Sequence, residues 1–365
     1  MLVAGIEPSP VDAIIVPSSR SSEYLTTSID LARATGTYIL ALCSGESSPQ
    51  DALRRLSAAN VSGGVIAMES VEHDHPLVDG FETDTFPEAR FGRETNDLSR
   101  KRNVSLLIAH LAGWEKIFFL DDDIKISAEQ FRKVAGALAN NAIAGFTTTD
   151  FPDNSVVRHA QRLGGTEPYV YMSGGALGVN AREAVGFFPN IYNEDWFFMI
   201  CNWARRKNLG EVVQRAYDPF EDSQRALSEE FGDLLAEGLM PPVGSGVPFT
   251  ATGEAGWEAT IKVRKDSVSN ICNSLIAPSP VSLIRRFCAL SALGASSALL
   301  DTIQPKRCQQ YIEAWLSDIE LHQERLVALP TDLSVAEATE ELGLKSAFTC
   351  RARDRDRKTD RQSKI

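Results

Sequence analysis

Three consecutive carboxylates, Asp121-Asp122-Asp123, follow the apolar run Ile117-Phe118-Phe119-Leu120. A short apolar run with a helix-ending Gly113 upstream reads as a buried strand. Carboxylates at the C-terminal end of such a strand lie where open α/β sheets bind ligands. Adjacent like charges repel, so something cationic must compensate them. A hard divalent cation carrying phosphate oxygens suits such a donor set. A solvated acidic turn with Asp as a cap is the competing reading.

Two further segments carry chemistry. Tyr171-Met172-Ser173-Gly174-Gly175-Ala176 runs from apolar residues into paired glycines. Such a pair lets backbone approach a ligand closely, or simply bends a strand. Asn193-Glu194-Asp195-Trp196 opens an apolar helix that is expected to continue to Arg205-Arg206-Lys207. Its two acidic residues either meet the helix dipole or supply a general base facing the same cleft. His73-Asp74-His75 has metal-ligand residue types but no nearby partner set, and reads as surface loop. Trp196, Trp203 and Trp315 read as core before sugar platforms, with Trp196, beside Asp195, the one exception to test.

The elements that must position these groups alternate between strand and helix. Residues 13–16 form a strand stopped by Pro17, 22–35 a helix, 38–43 a strand, 49–59 a helix and 64–68 a strand. Residues 69–95 are polar and aperiodic, and are expected as a long loop beside the site. A helix over 97–112, the acidic strand, and a helix opened by the capping box Ser127…Gln130 follow. This rhythm predicts an α/β fold: a doubly wound, mostly parallel sheet with helices on both faces. Beyond about residue 220 the chain reads as mostly helical, over 223–239 and 306–329 and from a second capping box at Ser334…Glu337. Residues 241–256 form a Pro/Gly-rich connection, and 351–365, alternating Arg and Asp, read as a disordered tail. The expected organisation is a domain over 1–222, a mostly helical region over 223–350 and the tail.

Hydrophobic content of 43% and charged content of 24% over 365 residues are ordinary globular values and exclude a disordered chain. A formal charge of −12 disfavours nucleic acid as a partner. Six scattered cysteines suit reduced thiols, and Glu7, Pro8 and Pro10 stand where a secretory leader needs an apolar core. Both point to a cytoplasmic protein. Residues 287–300 are apolar but shorter than a bilayer span, and read first as a buried helix. The preceding Arg285-Arg286 keeps peripheral membrane contact as the alternative, and a homodimer is left open.

Taken in order, Pro17-Ser18-Ser19-Arg20, Ser99-Arg100-Lys101-Arg102-Asn103, Phe119-Leu120-Asp121-Asp122-Asp123, Gly174-Gly175 and Glu194-Asp195-Trp196 resemble the GT-A nucleotide-sugar glycosyltransferases. The closest likeness is to the inverting family 2 pattern, and it spans residues 11–210. The resemblance implies a GT-A fold, a UDP- or GDP-linked sugar donor and an acceptor hydroxyl. It makes Asp123 a ligand of Mn²⁺ or Mg²⁺, and Asp121 a contact to the donor ribose or sugar, in some relatives through the metal. It makes Asp195 the base that deprotonates the acceptor, and Glu194 a positioning group for the acceptor or that base. Gly174 and Gly175 would line the donor-sugar pocket, with Pro17, Ser18, Arg20 and Arg102 near the nucleotide. Two departures stand out. Glu46 replaces the acidic residue that often ends the second strand, and no late His completes a metal site, for which Asp218, Asp222 or water would serve. The competing readings are a haloacid-dehalogenase-like phosphatase, with Asp121 as nucleophile and Asp123 as acid, and a non-catalytic nucleotide-sugar-binding protein.

Overall fold

The computed structural model describes residues 11–70, 75–91, 97–149, 151, 155–222, 224–244, 246 and 253–349. His73, Asp74 and the tail 351–365 lie outside the described residues.

Among the described residues nine strands build one sheet: β1 (Ala13–Ser18), β2 (Tyr38–Cys43), β3 (Gly63–Ala67), β4 (Lys116–Leu120), β5 (Ile124–Lys125), β6 (Ile143–Thr149), β7 (Met172–Asn180), β8 (Arg206–Gln214) and β9 (Ser346–Phe348). Their order is β5-β8-β6-β7-β4-β1-β2-β3-β9. β1 to β4, β6 and β8 share one direction, and β5, β7 and β9 oppose it. The mixed α/β architecture with a mostly parallel sheet is therefore as expected. Along the central strands successive side chains point to opposite faces. Ala13, Ile15, Ile117 and Phe119 enter one core, and Ile14, Val16, Phe118 and Leu120 the other.

The helices are α1 (Thr26–Thr35), α2 (Pro49–Ala58), α3 (Pro87–Arg90), α4 (Leu98–Leu111), α5 (Ala128–Ala137), α6 (Val156–Leu163), α7 (Glu194–Cys201), α8 (Arg225–Gly244), α9 (Gly253–Ile276), α10 (Leu283–Leu300), α11 (Pro305–Val327) and α12 (Val335–Glu341). α1, α2 and α5 cover one face of the sheet, and α4, α6 and α7 the other. The helices after residue 224 join this second core, with Trp315 edge-on to Phe197 and Tyr311 edge-on to Phe231. Both predicted capping boxes are present, at Ser127–Gln130 and Ser334–Glu337.

Four local expectations need correction. Pro17 does not stop β1. The alternation of the strand turns its backbone towards β4, where pairing has already ended at Ile15, so no ladder N–H is missed. Arg206 and Lys207 do not end a helix: Asn202, whose Nδ2 donates to Val185 O and Phe198 O, closes α7, and Arg206 opens β8 beside Ile143. The long loop expected over 69–95 carries, within 75–91, the short helix α3, and is tied to α11. Asp318 accepts from the N–H groups of Glu82 and Thr83 at 2.8 Å each, and Arg307 binds Glu88 at 2.8 Å. Finally, 287–300 belongs to α10, of which only 28% is buried.

A buried ion network ties the helical region together. Arg264 on α9 reaches Glu230, Asp233 and Glu237 on α8 at 2.8, 2.8 and 2.9 Å, and Ser296 of α10 donates to Glu230 at 2.5 Å. Burial pushes the Glu230 and Asp233 carboxyls up against the pull of Arg264, whose guanidinium is itself held firmly protonated. Breaking a buried pair strands its partner, so Arg264→Ala should cost about 3–5 kcal/mol of unfolding free energy. Lys133→Ala, which breaks an exposed pair with Glu129, should cost under about 1 kcal/mol. Urea denaturation of the two variants checks this, and equal losses would show that the network carries no structural weight.

Candidate active site

The chain reverses sharply after β4, and this fans the three carboxylates apart. Asp121 N–H donates to Gly175 O of β7 at 2.8 Å, and Ile124 N–H returns to Asp121 O at 3.2 Å. Asp122, which sequence reasoning left without a role, turns back into the protein. Ser18 Oγ donates to it at 3.0 Å and Arg20 pairs with it. Asp123 shares the same guanidinium, at 3.1 Å from Arg20 Nη2, and its carbonyl accepts from Arg215 N–H at 3.0 Å. Arg20 and Arg215 lie over the Tyr24 ring, 5.5 and 4.8 Å from its centroid, a grouping with no sequence signature.

Arg102 on α4 is the second counter-cation. It is buried, donates to Glu194 Oε1 at 2.7 Å and approaches both oxygens of Asp121 at 3.4 Å. It therefore lies among the carboxylates. Its neighbour Lys101, also buried, binds Ser18 O at 3.0 Å, Ser44 Oγ at 2.6 Å and Asp97 at 2.9 Å, closing the floor between β1 and β2. The sequence marks this helix only as one with a basic start.

The paired glycines serve close approach. A Cβ on Gly174 would fall 2.6 Å from Asp195 Cβ and 2.9 Å from Arg102 Nη1, and one on Gly175 would fall 3.2 Å from Asp121 Oδ2. Gly174 N–H donates to Asp195 Oδ2 at 2.6 Å, and Trp196 N–H donates to Oδ1 at 2.9 Å. Asn193 begins α7 in the left-handed region (φ 63°), which Asn tolerates better than most residues. Its Nδ2 donates to Asp233 of the buried network at 2.7 Å. Gly232 leaves no room for a side chain against Tyr192, whose carbonyl oxygen would lie 2.1 Å from a Cβ. α8 thus clasps the turn that presents Glu194 and Asp195.

The structure thereby brings together Arg102, Asp121, Gly174, Gly175, Glu194 and Asp195, and beside them Ser18, Arg20 and Asp123. Pro17 is buried within the sheet, while Glu46 is exposed in the loop after β2, where its N–H donates to Ser19 O at 2.9 Å. Asp218 and Asp222 cap local turns at Phe220 and Gln224. Trp315 is core, as expected, and Trp196 is 9% exposed with its ring edge-on to Tyr171.

Five carboxylates (Asp121, Asp122, Asp123, Glu194 and Asp195) surround two guanidiniums, Arg20 and Arg102. Burial, then the neighbouring Asp121, push the Asp123 carboxyl up to about 6 against the pull of Arg20. Burial also raises Asp122 against Arg20, and Asp195 against Arg102 and two backbone N–H groups. A divalent cation would relieve this excess. Asp121 and Asp123 are the side chains with the donor chemistry for it, and Mg²⁺ characteristically takes one or two carboxylates and completes its shell from phosphate and water. No cluster of three or more His, Cys, Asp or Glu ready to hold a metal occurs among the described residues.

No protein-family model matches this chain, and no curated protein matches it. Among solved structures it is similar to S. aureus TarS 1-349, at 12% sequence identity and a TM-score of 0.37, over 80% of this chain and 90% of that one.

The excess of negative charge has a pH signature. An ordinary Asp titrates near 3.8 and folded Asp123 at about 6. Folding therefore takes up a proton in that window, and the native state loses on the order of 2–3 kcal/mol as pH rises through it. Asp123→Asn escapes the loss. Its melting temperature should exceed the wild-type value at about pH 7.5, with the gap closing towards about pH 4. A gap independent of pH would mean that Asp123 titrates as an ordinary carboxylate.

Proposed function

We propose that this chain is a metal-dependent glycosyltransferase of GT-A type, moving a sugar from a UDP- or GDP-linked donor to an acceptor hydroxyl with inversion. The observation that carries the reading is the convergence of Asp121 after β4 and Glu194 of α7 on one guanidinium, Arg102, beside a strand whose glycine at 174 lets Asp195 and Arg102 approach its backbone closely. Transfer to a hydroxyl needs those two kinds of group, one set facing the diphosphate and another facing the nucleophile.

Asp121 and Asp123 would hold Mn²⁺ or Mg²⁺, which when bound supplies Lewis-acid stabilisation of the departing diphosphate. Arg20 and the exposed Arg215 stand beside Asp123 and add positive charge on the same side. Asp195 is the base. Burial raises its carboxyl towards the range where a base is effective near neutral pH, and its two N–H donors fix its orientation. The acceptor O–H bond breaks towards Asp195 as the acceptor oxygen bonds to the anomeric carbon, and the sugar–phosphate bond breaks with its electrons on the diphosphate. Glu194, already paired to Arg102, positions the site rather than taking a proton. Ser18, Ser44 and Lys101 floor the region where the nucleotide would lie, with Glu46 at its rim.

Calorimetric titration of UDP, GDP and their sugar conjugates with Mn²⁺ tests the donor half. Asp121→Asn and Asp123→Asn should each weaken binding by at least about 10-fold. Asp195→Asn should still bind donor while losing about 10²–10⁴ in turnover. Absence of nucleotide binding in the folded wild type would remove the proposal, and phosphorylation of Asp121 by a phosphate ester would replace it with the phosphatase reading.

A further inference from the structure

The α9–α10 hairpin ends in a tip that the other described residues leave uncovered. Ile276, Leu283, Ile284 and Phe287 are 67, 75, 79 and 73% exposed, and Ala277, Pro278 and Pro280 between them are exposed as well. Leu283, Ile284 and Phe287 lie at spacings of three and four, on one side of the first turns of α10. The tip is also braced. Ser282 caps α10, and Arg286 donates to Leu275 O at 3.1 Å and Ala277 O at 2.9 Å. An apolar surface held in place in this way is expected where a partner covers it.

Charge says what kind of partner. In a chain of net charge −12, no Asp or Glu occurs between Asp266 and Asp301, and the only charged residues in that stretch are Arg285 and Arg286. The nearby loop after α6 carries Glu167, already neutralised by Arg162 at 2.9 Å. The tip is thus apolar with a cationic edge. We infer that it docks on the surface of an anionic lipid bilayer, with its apolar side chains among the acyl-chain boundary and Arg285 at the head groups. An interfacial element of this kind enters only about 5–10 Å. α10 does not cross: Ala289, Ala292, Leu293, Ser296 and Leu300 are packed in the protein, and Ser296 is bonded to Glu230. A second copy docked by the same surface across a two-fold axis would set two cationic tips against each other.

Co-sedimentation with vesicles of phosphatidylcholine alone, or mixed with phosphatidylglycerol, tests this. Wild type should bind the anionic vesicles, less so as salt is raised. Ile284→Glu with Phe287→Ser should weaken binding by at least about 10-fold without changing the melting temperature, since both side chains are exposed. Arg285→Glu should weaken it and flatten the salt dependence. The proposal is overturned if wild type ignores both vesicle types, if it binds neutral vesicles equally, or if the double variant binds as wild type does. It is also overturned if wild type is a dimer that the double variant dissolves without any vesicle binding.

Discussion

One buried guanidinium governs the arrangement at the sheet's C-terminal edge. Arg102 lies between Glu194 and Asp121, 92 and 19 residues away in sequence, with its planar group 5.5 Å from the centre of the Phe188 ring. Without it, the end of β4 and the start of α7 would present facing carboxylates with nothing between them. It packs so close to β7 that a side chain at 174 would collide with it and with Asp195, and the neighbouring Gly175 lies in tight contact with Asp121. The raised carboxyls and the need for glycine at 174 follow from the same crowding.

The second constraint comes from outside the α/β layer. α8 touches the backbone of Tyr192 through Gly232 and holds Asn193 through Asp233, which Arg264 holds in turn. A buried ion network of this kind is weak evidence of net stability, because desolvation offsets much of the attraction. Its geometric effect is firmer: it specifies where the first turn of α7 sits. The helical region therefore belongs to the framework of the site and shares its core.

Much of this was legible in the residues. Alternating apolar positions and capping boxes revealed the layered α/β order, and an apolar strand ending in carboxylates marked the edge where the side chains converge. What escaped was decided by tertiary partners. Asp122 looks the same as its neighbours until Ser18 and Arg20 are placed beside it. The compensating charge, expected as a metal, is supplied at least in part by Arg20 and Arg102, and nothing in a sequence says which arginines fold inward. Pro17 reads as a strand end because its tolerance depends on where the neighbouring ladder stops. Residues 75–91 lack periodicity because Asp318 and Arg307, rather than an internal pattern, hold them.

The small strand β9 has a consequence for how the molecule is made. Residues 346–348 pair antiparallel with β3 and cover the outer edge of the sheet, and Phe348 lies against Gly64. On the ribosome, β3 emerges almost three hundred residues before its last neighbour. Throughout that interval the nascent sheet offers an open row of N–H and C=O groups to any passing extended segment. Chaperone occupancy during synthesis should therefore centre on β3.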